Sequence, residues 1–245
     1  MKLLLDAGNS RFKWQLRQGE KTVCSGVGAV ESGELVAEMD AALWQQVEAV
    51  AVCTVRSEQA RAALERAIAG HTGAPVRFFW TESSFGNLVC AYEDPSTMGA
   101  DRWCAMVAAW RLIRRACVVI DAGSAITIDW IAADGCHQGG YILPGRNLML
   151  DSLSQKTARV LFEREQKRAS VSPGKTTGEC VLHGVNWLLR AVASELGRET
   201  EVPILVTGGD GAYIKKALDE SAHGKLSAKL CPDLVLDGLA QVASI

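Results

Sequence analysis

The sequence predicts an α/β protein of two duplicated lobes, each a mixed β-sheet with flanking helices. Three observations carry that expectation. The stretches "LLLDAGNSRFKW" (3–14) and "VVIDAGSAITIDW" (118–130) write one pattern twice, with their aspartates 121 − 6 = 115 positions apart. In each, an apolar run meets Asp-Ala-Gly and then an alternating stretch that reaches a Trp. A second pair of apolar runs, "VAVCTV" (50–55) and "PILVTGG" (203–209), leads in each half into a loop and then a helical pattern.

Taken in order, "KLLLD" and "CVVID" are short continuous apolar runs, as found in strands buried on both faces of a sheet. In "FKWQL", Phe12, Trp14 and Leu16 alternate with Lys13 and Gln15; in "AITIDW", Ile126, Ile128 and Trp130 alternate with Thr127 and Asp129. Period-two alternation marks a second strand with two different faces, so each unit is a hairpin. The threonines Thr54 and Thr207 of the second pair lie 207 − 54 = 153 apart, so the second half carries about 153 − 115 = 38 extra residues. The charged, helical stretch from roughly 145 to 180 has that length and reads as an insertion. Between the halves, "GADRWCAMVAAWRLIRR" (99–115) sets Trp103, Met106, Val107, Trp110 and Ile113 at helical spacing, with Asp101 at its beginning. A further helix reads from about Thr177 to Leu196, with Val181, Val185, Leu188, Leu189 and Val192 on one side. No low-complexity linker intervenes, so two lobes, 1–115 and 116–245, are expected to abut directly. The apolar C-terminal segment "LVLDGLAQVASI" suits capping either lobe.

A chain of 245 residues can bury a substantial core, and 48 % hydrophobic with 22 % charged residues is an ordinary globular balance. The formal charge of −2, without a basic block, argues against a nucleic-acid or anionic-membrane partner. The apolar runs are too short to span a bilayer, and the N-terminus enters a strand with no signal-peptide layout. The eight cysteines form no Cys-x-x-Cys pair, which excludes the usual zinc spacing; scattered through apolar stretches, they suit a reducing cytoplasm.

A hairpin is not the strand–helix unit of common nucleotide motifs. "GVGAVE" (26–31) has Glu31 where a third glycine belongs, and "SPGKTTG" (172–178) has Ala169 where a Walker loop needs its first glycine. The hairpin turns offer other chemistry. A tight glycine turn exposes backbone N–H groups that can cradle phosphate oxygens. Asn9, Ser10 and Ser124 add side-chain donors, and Lys13 a positive charge. An aspartate ending a buried strand before such a turn can hold a cation, although a single copy equally suits a turn residue bonding the backbone ahead of it. Two copies point to a nucleotide triphosphate gripped from both sides, with Asp6 orienting hydrated magnesium and Asp121 a second cation or water.

These hairpins resemble those of the acetate and sugar kinase, Hsp70 and actin superfamily. Within it the chain resembles the type III pantothenate kinases. The matching pieces are "DAGNSRFKW", "GADRW", "DAGSAITID", "GGYILPG", "VTGGD" and "LVLDGL", in the family's order over nearly the whole chain. The resemblance implies two actin-like (ribonuclease H-like) lobes with a nucleotide cleft between them. It implies ATP-dependent phosphorylation of pantothenate to 4′-phosphopantothenate, the first step of coenzyme A biosynthesis, with magnesium (Mg2+), a monovalent cation (K+ or NH4+) and a homodimer. Residues 6–13 match the first phosphate-binding segment, with Asp6, Ala7, Gly8, Asn9, Ser10 and Lys13 toward ATP. Asp121 matches the monovalent-cation ligand, and Ser124 a nucleotide contact where threonine is more usual. Tyr92, Gly99, Ala100, Asp101 and Arg102 match the pantothenate site, with Asp101 as proton acceptor. Thr177, or its neighbour Thr176, matches a threonine reaching substrate from the second subunit. On the residues alone, Asp101 also suits a helix N-cap and Arg102 an exposed first-turn arginine. A kinase of another small hydroxyl substrate, or a non-catalytic ATP-binding accessory or regulatory factor, are the alternatives. The intact Asp6, Asp101 and Asp121 set argues against the second.

Overall fold

The computed structural model describes residues 1–9, 11–29, 39–156, 170–221 and 228–244. Ser10 and residues 157–169 of the expected insertion lie outside the described residues. The first sheet is built from β1 (Lys2–Ala7), β2 (Arg11–Gln18), β3 (Lys21–Ala29), β4 (Ala49–Thr54) and β5 (Val76–Phe79), in the order β3-β2-β1-β4-β5. A small hairpin, β6 (Ser84–Phe85) and β7 (Leu88–Val89), follows. The second sheet uses β8 (Cys117–Ala122), β9 (Ala125–Ile131), β10 (His137–Pro144), β11 (Ile204–Thr207) and β12 (Ala228–Leu230), in the order β10-β9-β8-β11-β12. In both, the central strand runs antiparallel to its hairpin partner and parallel to its other neighbour. The repeat in the sequence is therefore a repeat of topology.

The register corrects one alignment. Asp6 lies opposite Cys53, and Ala7 opposite Thr54, whereas Asp121 lies opposite Thr207. Cys53, not Thr54, thus stands where Thr207 stands. The offset is 207 − 53 = 154, and the second half's surplus 154 − 115 = 39 residues. A one-residue slip moves a side chain to the opposite face of a sheet, and pairing alone reveals it.

The central strands are buried as their composition requires: Leu3, Leu4 and Leu5, like Val118, Val119 and Ile120, are shielded from solvent. Helices α1 (Ala41–Trp44) and α2 (Glu58–Ala69) bring Trp44, Leu64 and Ile68 to the first core, against Leu3, Leu5, Trp14 and Val52. The alternation in β2 and β9 is interrupted by buried polar residues. Gln15 is buried and accepts from Arg17 Nε at 2.8 Å; Asp129 is buried too. In the second core α5 (Thr177–Glu199) and α6 (Gly211–Ser221) cover Val118, Ile120 and Ile128; between β10 and α5 lies α4 (Arg146–Lys156). The buried positions of α5 are Leu182, Val185, Asn186, Leu189, Ala193 and Leu196. Leu188, expected on that side, is exposed beside Trp187.

The compact units are Met1–Arg115, Ala132–Gln138 and Asp233–Ile245 in one, and Ala116–Ile131 and Gly139–Pro232 in the other. This differs from a division at 115/116, because the C-terminal helix α7 (Leu234–Val242) packs on α3 (Ala100–Ile113) of the first unit. Of the two lobes it suited, the segment caps the first. A Cβ at Gly238 would lie 1.8 Å from the Cys104 carbonyl oxygen, so the two helix backbones meet directly. Arg17 of β2 ties α7 down through Asp237 Oδ1 at 2.6 Å.

Gly238→Ala forces α7 off α3, which is expected to cost about 1–3 kcal/mol. Gly184→Ala, at an exposed α5 position where a Cβ meets nothing within 4 Å, is expected to stabilise by about 0.5–1 kcal/mol. Thermal unfolding of both variants checks the pair: equal midpoints would contradict the close approach of α3 and α7.

Candidate active site

The first turn is set by strand register. Asp6 lies directly opposite Lys13, and Ala7 opposite Phe12. Such partners share a face with Cβ atoms about 5 Å apart, so the half-buried carboxylate and lysine lie side by side. Thr54 Oγ1 donates to the Ala7 carbonyl at 2.8 Å and accepts from Arg56 N at 3.1 Å, fixing the strand end where the turn begins. Gly8 is half-buried and Asn9 exposed in that turn.

In the second unit Ala122 lies opposite Ile126, so this turn is one residue shorter: 126 − 122 = 4 against 12 − 7 = 5. Gly123 N donates to the Ala125 carbonyl at 2.9 Å and closes it. Two glycines from distant segments press on the turn. Gly208, at φ +89°, would place a Cβ 2.4 Å from the Ala122 carbonyl and 2.5 Å from Asp121 Oδ1. Gly145 would place one 2.3 Å from the Gly123 carbonyl oxygen, and its N–H donates to the Ser124 carbonyl at 3.0 Å. Close backbone approach is thus the reason for glycine in "VTGGD" and "ILPG". Gly208 meets the Asp121 carboxylate and Gly145 the turn that follows it, so half-buried Asp121 ends its strand beside closely packed main chain, while Ser124 stays exposed.

The segment "GADRW" opens α3. Gly99 is the N-cap and makes no side-chain cap bond; Asp101 is the second helical residue, its Oδ1 accepting from Arg102 N at 2.8 Å. A Cβ on Gly99 would lie 2.5 Å from that oxygen, so glycine is required by where the carboxylate sits. Ala100 is buried beneath it. Arg102 is not an exposed first-turn arginine: it is only 5 % exposed, and Nη1 donates to the Tyr92 hydroxyl at 2.9 Å. Tyr92 stacks on His137 with ring centroids 6.3 Å apart, and Ala91 N donates to His137 Nδ1 at 3.4 Å. His137, buried behind the expected pantothenate residues, carries no signal in the local sequence "DGCHQGG".

Cys53 is the other residue that sequence reading missed. It is fully buried, and its Sγ lies 3.7 Å from Asp6 Oδ1. The hydrogen bond with Cys104 first, then burial, then the charges of Asp6 and Asp101 push its thiol pKa well above the ordinary value. Of the two carboxylates, Asp6 is the one in contact with the thiol.

At the start of α5, Thr176 is the N-cap, its hydroxyl accepting from Glu179 N at 3.2 Å while Glu179 Oε2 accepts from Lys175 N at 2.8 Å. The Thr176 side chain is engaged in capping; Thr177 is the first helical residue and is exposed. Among the described residues no group of three or more His, Cys, Asp or Glu side chains is arranged to hold a metal ion. No described helix is long and apolar enough to cross a membrane.

Residues 2–198 match the family model described as type III pantothenate kinase. A type III pantothenate kinase of Marinobacter nauticus is 40 % identical, with 100 % of this chain and 98 % of the relative covered. Among solved structures, a Campylobacter jejuni protein described as a Baf family transcriptional activator superposes with a TM-score of 0.61 at 20 % identity, over 99 % of this chain and 97 % of its own. A Sinorhizobium meliloti protein described as a 2-dehydro-3-deoxygalactonokinase superposes with a TM-score of 0.58 at 14 % identity, over 99 % and 98 %. At such identities the likeness concerns the fold, which is the actin-like fold of sugar kinases.

Proposed function

The chain belongs to the type III pantothenate kinases, whose reaction is the ATP-dependent phosphorylation of pantothenate in coenzyme A biosynthesis, and from that premise we propose how its residues divide the work. The observation that carries the assignment is Asp101. It stands in the first turn of a helix capped by glycine, with one oxygen held by a backbone N–H.

Asp101 accepts the proton of the pantothenate primary hydroxyl as that oxygen attacks the γ-phosphorus of ATP. The helix N-terminus favours the ionised carboxylate. A strong base is unnecessary, because the transition state is loose and orientation of the hydroxyl matters more than its early deprotonation. Arg102 binds the pantothenate carboxylate through its guanidinium, whose planar fork matches a carboxylate and whose Nη1 is oriented by Tyr92. Tyr92 and Gly99–Ala100 form the wall of that subsite. The turn of Ala7, Gly8, Asn9 and Ser10 offers donors to the phosphates, with Lys13 adding charge. In the second unit Ser124 contacts nucleotide.

Asp6 suits magnesium held through water, since that cation takes one or two carboxylates and completes its shell with phosphate and water. When bound, it supplies neutralisation of charge on the transferring phosphate. Asp121, at the end of β8 beside the second turn, suits a monovalent cation, potassium or ammonium. The homodimer reading is supported by Tyr141, Ile142, Leu148, Trp187 and Leu188, large apolar side chains exposed on the second unit. Thr177 then acts toward the partner's substrate. Eight free cysteines fit reaction in the cytoplasm.

A coupled assay with ATP, magnesium and pantothenate tests the cation assignment: turnover is expected with potassium and a marked loss with sodium as the sole monovalent cation. Equal rates would remove Asp121 from that role. Asp101→Asn is expected to lower kcat by about 10²–10⁴-fold while ATP affinity holds. Near-normal turnover would exclude it as proton acceptor. Arg102→Ala, checked for folding by circular dichroism, is expected to raise KM for pantothenate by roughly tenfold or more. An unchanged KM would move the carboxylate elsewhere.

A further inference from the structure

The buried thiol of Cys53, in contact with Asp6, has no part in the chemistry above, and its geometry gives it one. We propose that Cys53 is a positioning residue for Asp6: its S–H holds the carboxylate in the rotamer that receives hydrated magnesium. The proposal rests on the reading of Asp6 as the magnesium-orienting residue.

Cys53 lies opposite Asp6 in the parallel pairing of β1 and β4, so the two side chains leave the sheet on the same face. An ionised carboxylate only accepts hydrogen bonds, so in the 3.7 Å contact with Asp6 Oδ1 the thiol is the donor. Cys104, only 1 % exposed, is hydrogen-bonded to the same thiol, which stays protonated and so keeps its S–H available as a donor. Cys104 sits three residues after Asp101 on α3, so the helix that fixes the proton acceptor also backs the thiol that fixes Asp6.

The duplicated copy shows that strand pairing alone does not dictate this contact. Thr207 occupies the equivalent place opposite Asp121, and its hydroxyl donates instead to the Pro232 carbonyl at 3.2 Å. At one topological position, the first copy turns its donor to the aspartate and the second turns its donor to a carbonyl. A carboxylate that must present one face to a hydrated cation gains from a donor behind it. Partners of this kind typically change metal affinity 10–100-fold when removed.

The test compares ATP affinity with magnesium and with EDTA, by calorimetry on the full chain, in four variants. Cys53→Val removes the donor while filling its space, and Cys53→Ala removes both. Cys104→Ala takes a similar volume from the same buried place but leaves the Cys53 S–H on Asp6. Asp6→Asn removes the carboxylate charge. The magnesium-dependent gain in affinity is expected to shrink about tenfold in both Cys53 variants, to stay in Cys104→Ala and to vanish in Asp6→Asn. Affinity in EDTA is expected to stay near the parent value in both Cys53 variants. If Asp6→Asn loses the gain and the Cys53 variants keep it, the thiol is packing only and the proposal fails alone. If Cys104→Ala loses as much as Cys53→Val, packing explains the effect and the proposal also fails. If Asp6→Asn keeps the gain, the magnesium reading of Asp6 fails and takes the proposal with it.

Discussion

Helix α3 can carry the chemistry of the first unit only because it is buried almost all round. From Arg102 to Trp110 every residue is shielded from solvent. That burial depends on Gly238, where α7 comes down onto the α3 backbone. It also has a cost. The indole N–H groups of Trp103 and Trp110 are buried, and the described residues offer them no acceptor; each such group forfeits about 1–3 kcal/mol. Apolar packing along both helices offsets this, with Leu234, Leu236, Leu239 and Val242 all buried on α7. A helix held so firmly presents Asp101 and Arg102 from a rigid element, and small errors in such groups are expensive in rate.

Duplication supplied two copies of one device, and the copies diverged in small steps. The first turn has an additional residue and sets Lys13 across from Asp6; the shorter second turn sets Thr127 across from Asp121. The first is a carboxylate flanked by a cationic chain and a thiol. The second is a carboxylate ringed by main chain, through Gly145 and Gly208. Side chains approach the carboxylate in one, and main chain approaches it in the other. That difference follows from loop length and glycine placement, without any change in strand order.

Much of this was legible in the residues. Apolar runs and period-two alternation located both hairpins, and the 115-residue spacing located the duplication, because buried strands leave patterns independent of their partners. Asp6, Asp101 and Asp121 could be picked out because each opens or closes an element next to glycine. Cys53 and His137 could not. A cysteine in "AVCTV" reads as a small hydrophobe, and its role depends on which residue the neighbouring strand sets opposite. The equation of Thr54 with Thr207 failed for the same reason, since register is a property of pairs of strands. The ownership of α7 was hidden too, because its apolar face suits any apolar surface and only the Gly238 contact selects α3.

The Asp6 carboxylate and the Cys53 thiol meet where β1 and β4 end. Burial and the negative charge of Asp6 both favour the protonated thiol. A thiol is well suited to this place because it stays neutral there: it donates without adding a second negative charge. Lys13, paired in register with Asp6, brings the nearest opposite charge the strands provide. On the proposed reading of Asp6, a cation that arrives with its nucleotide brings positive charge to this edge. The polar groups gather at the ends of β1 and β4 and the first turn of α3, while Leu3, Leu4 and Leu5 beneath stay apolar and buried. That separation lets one small unit be both a firm scaffold and a charged, receptive edge.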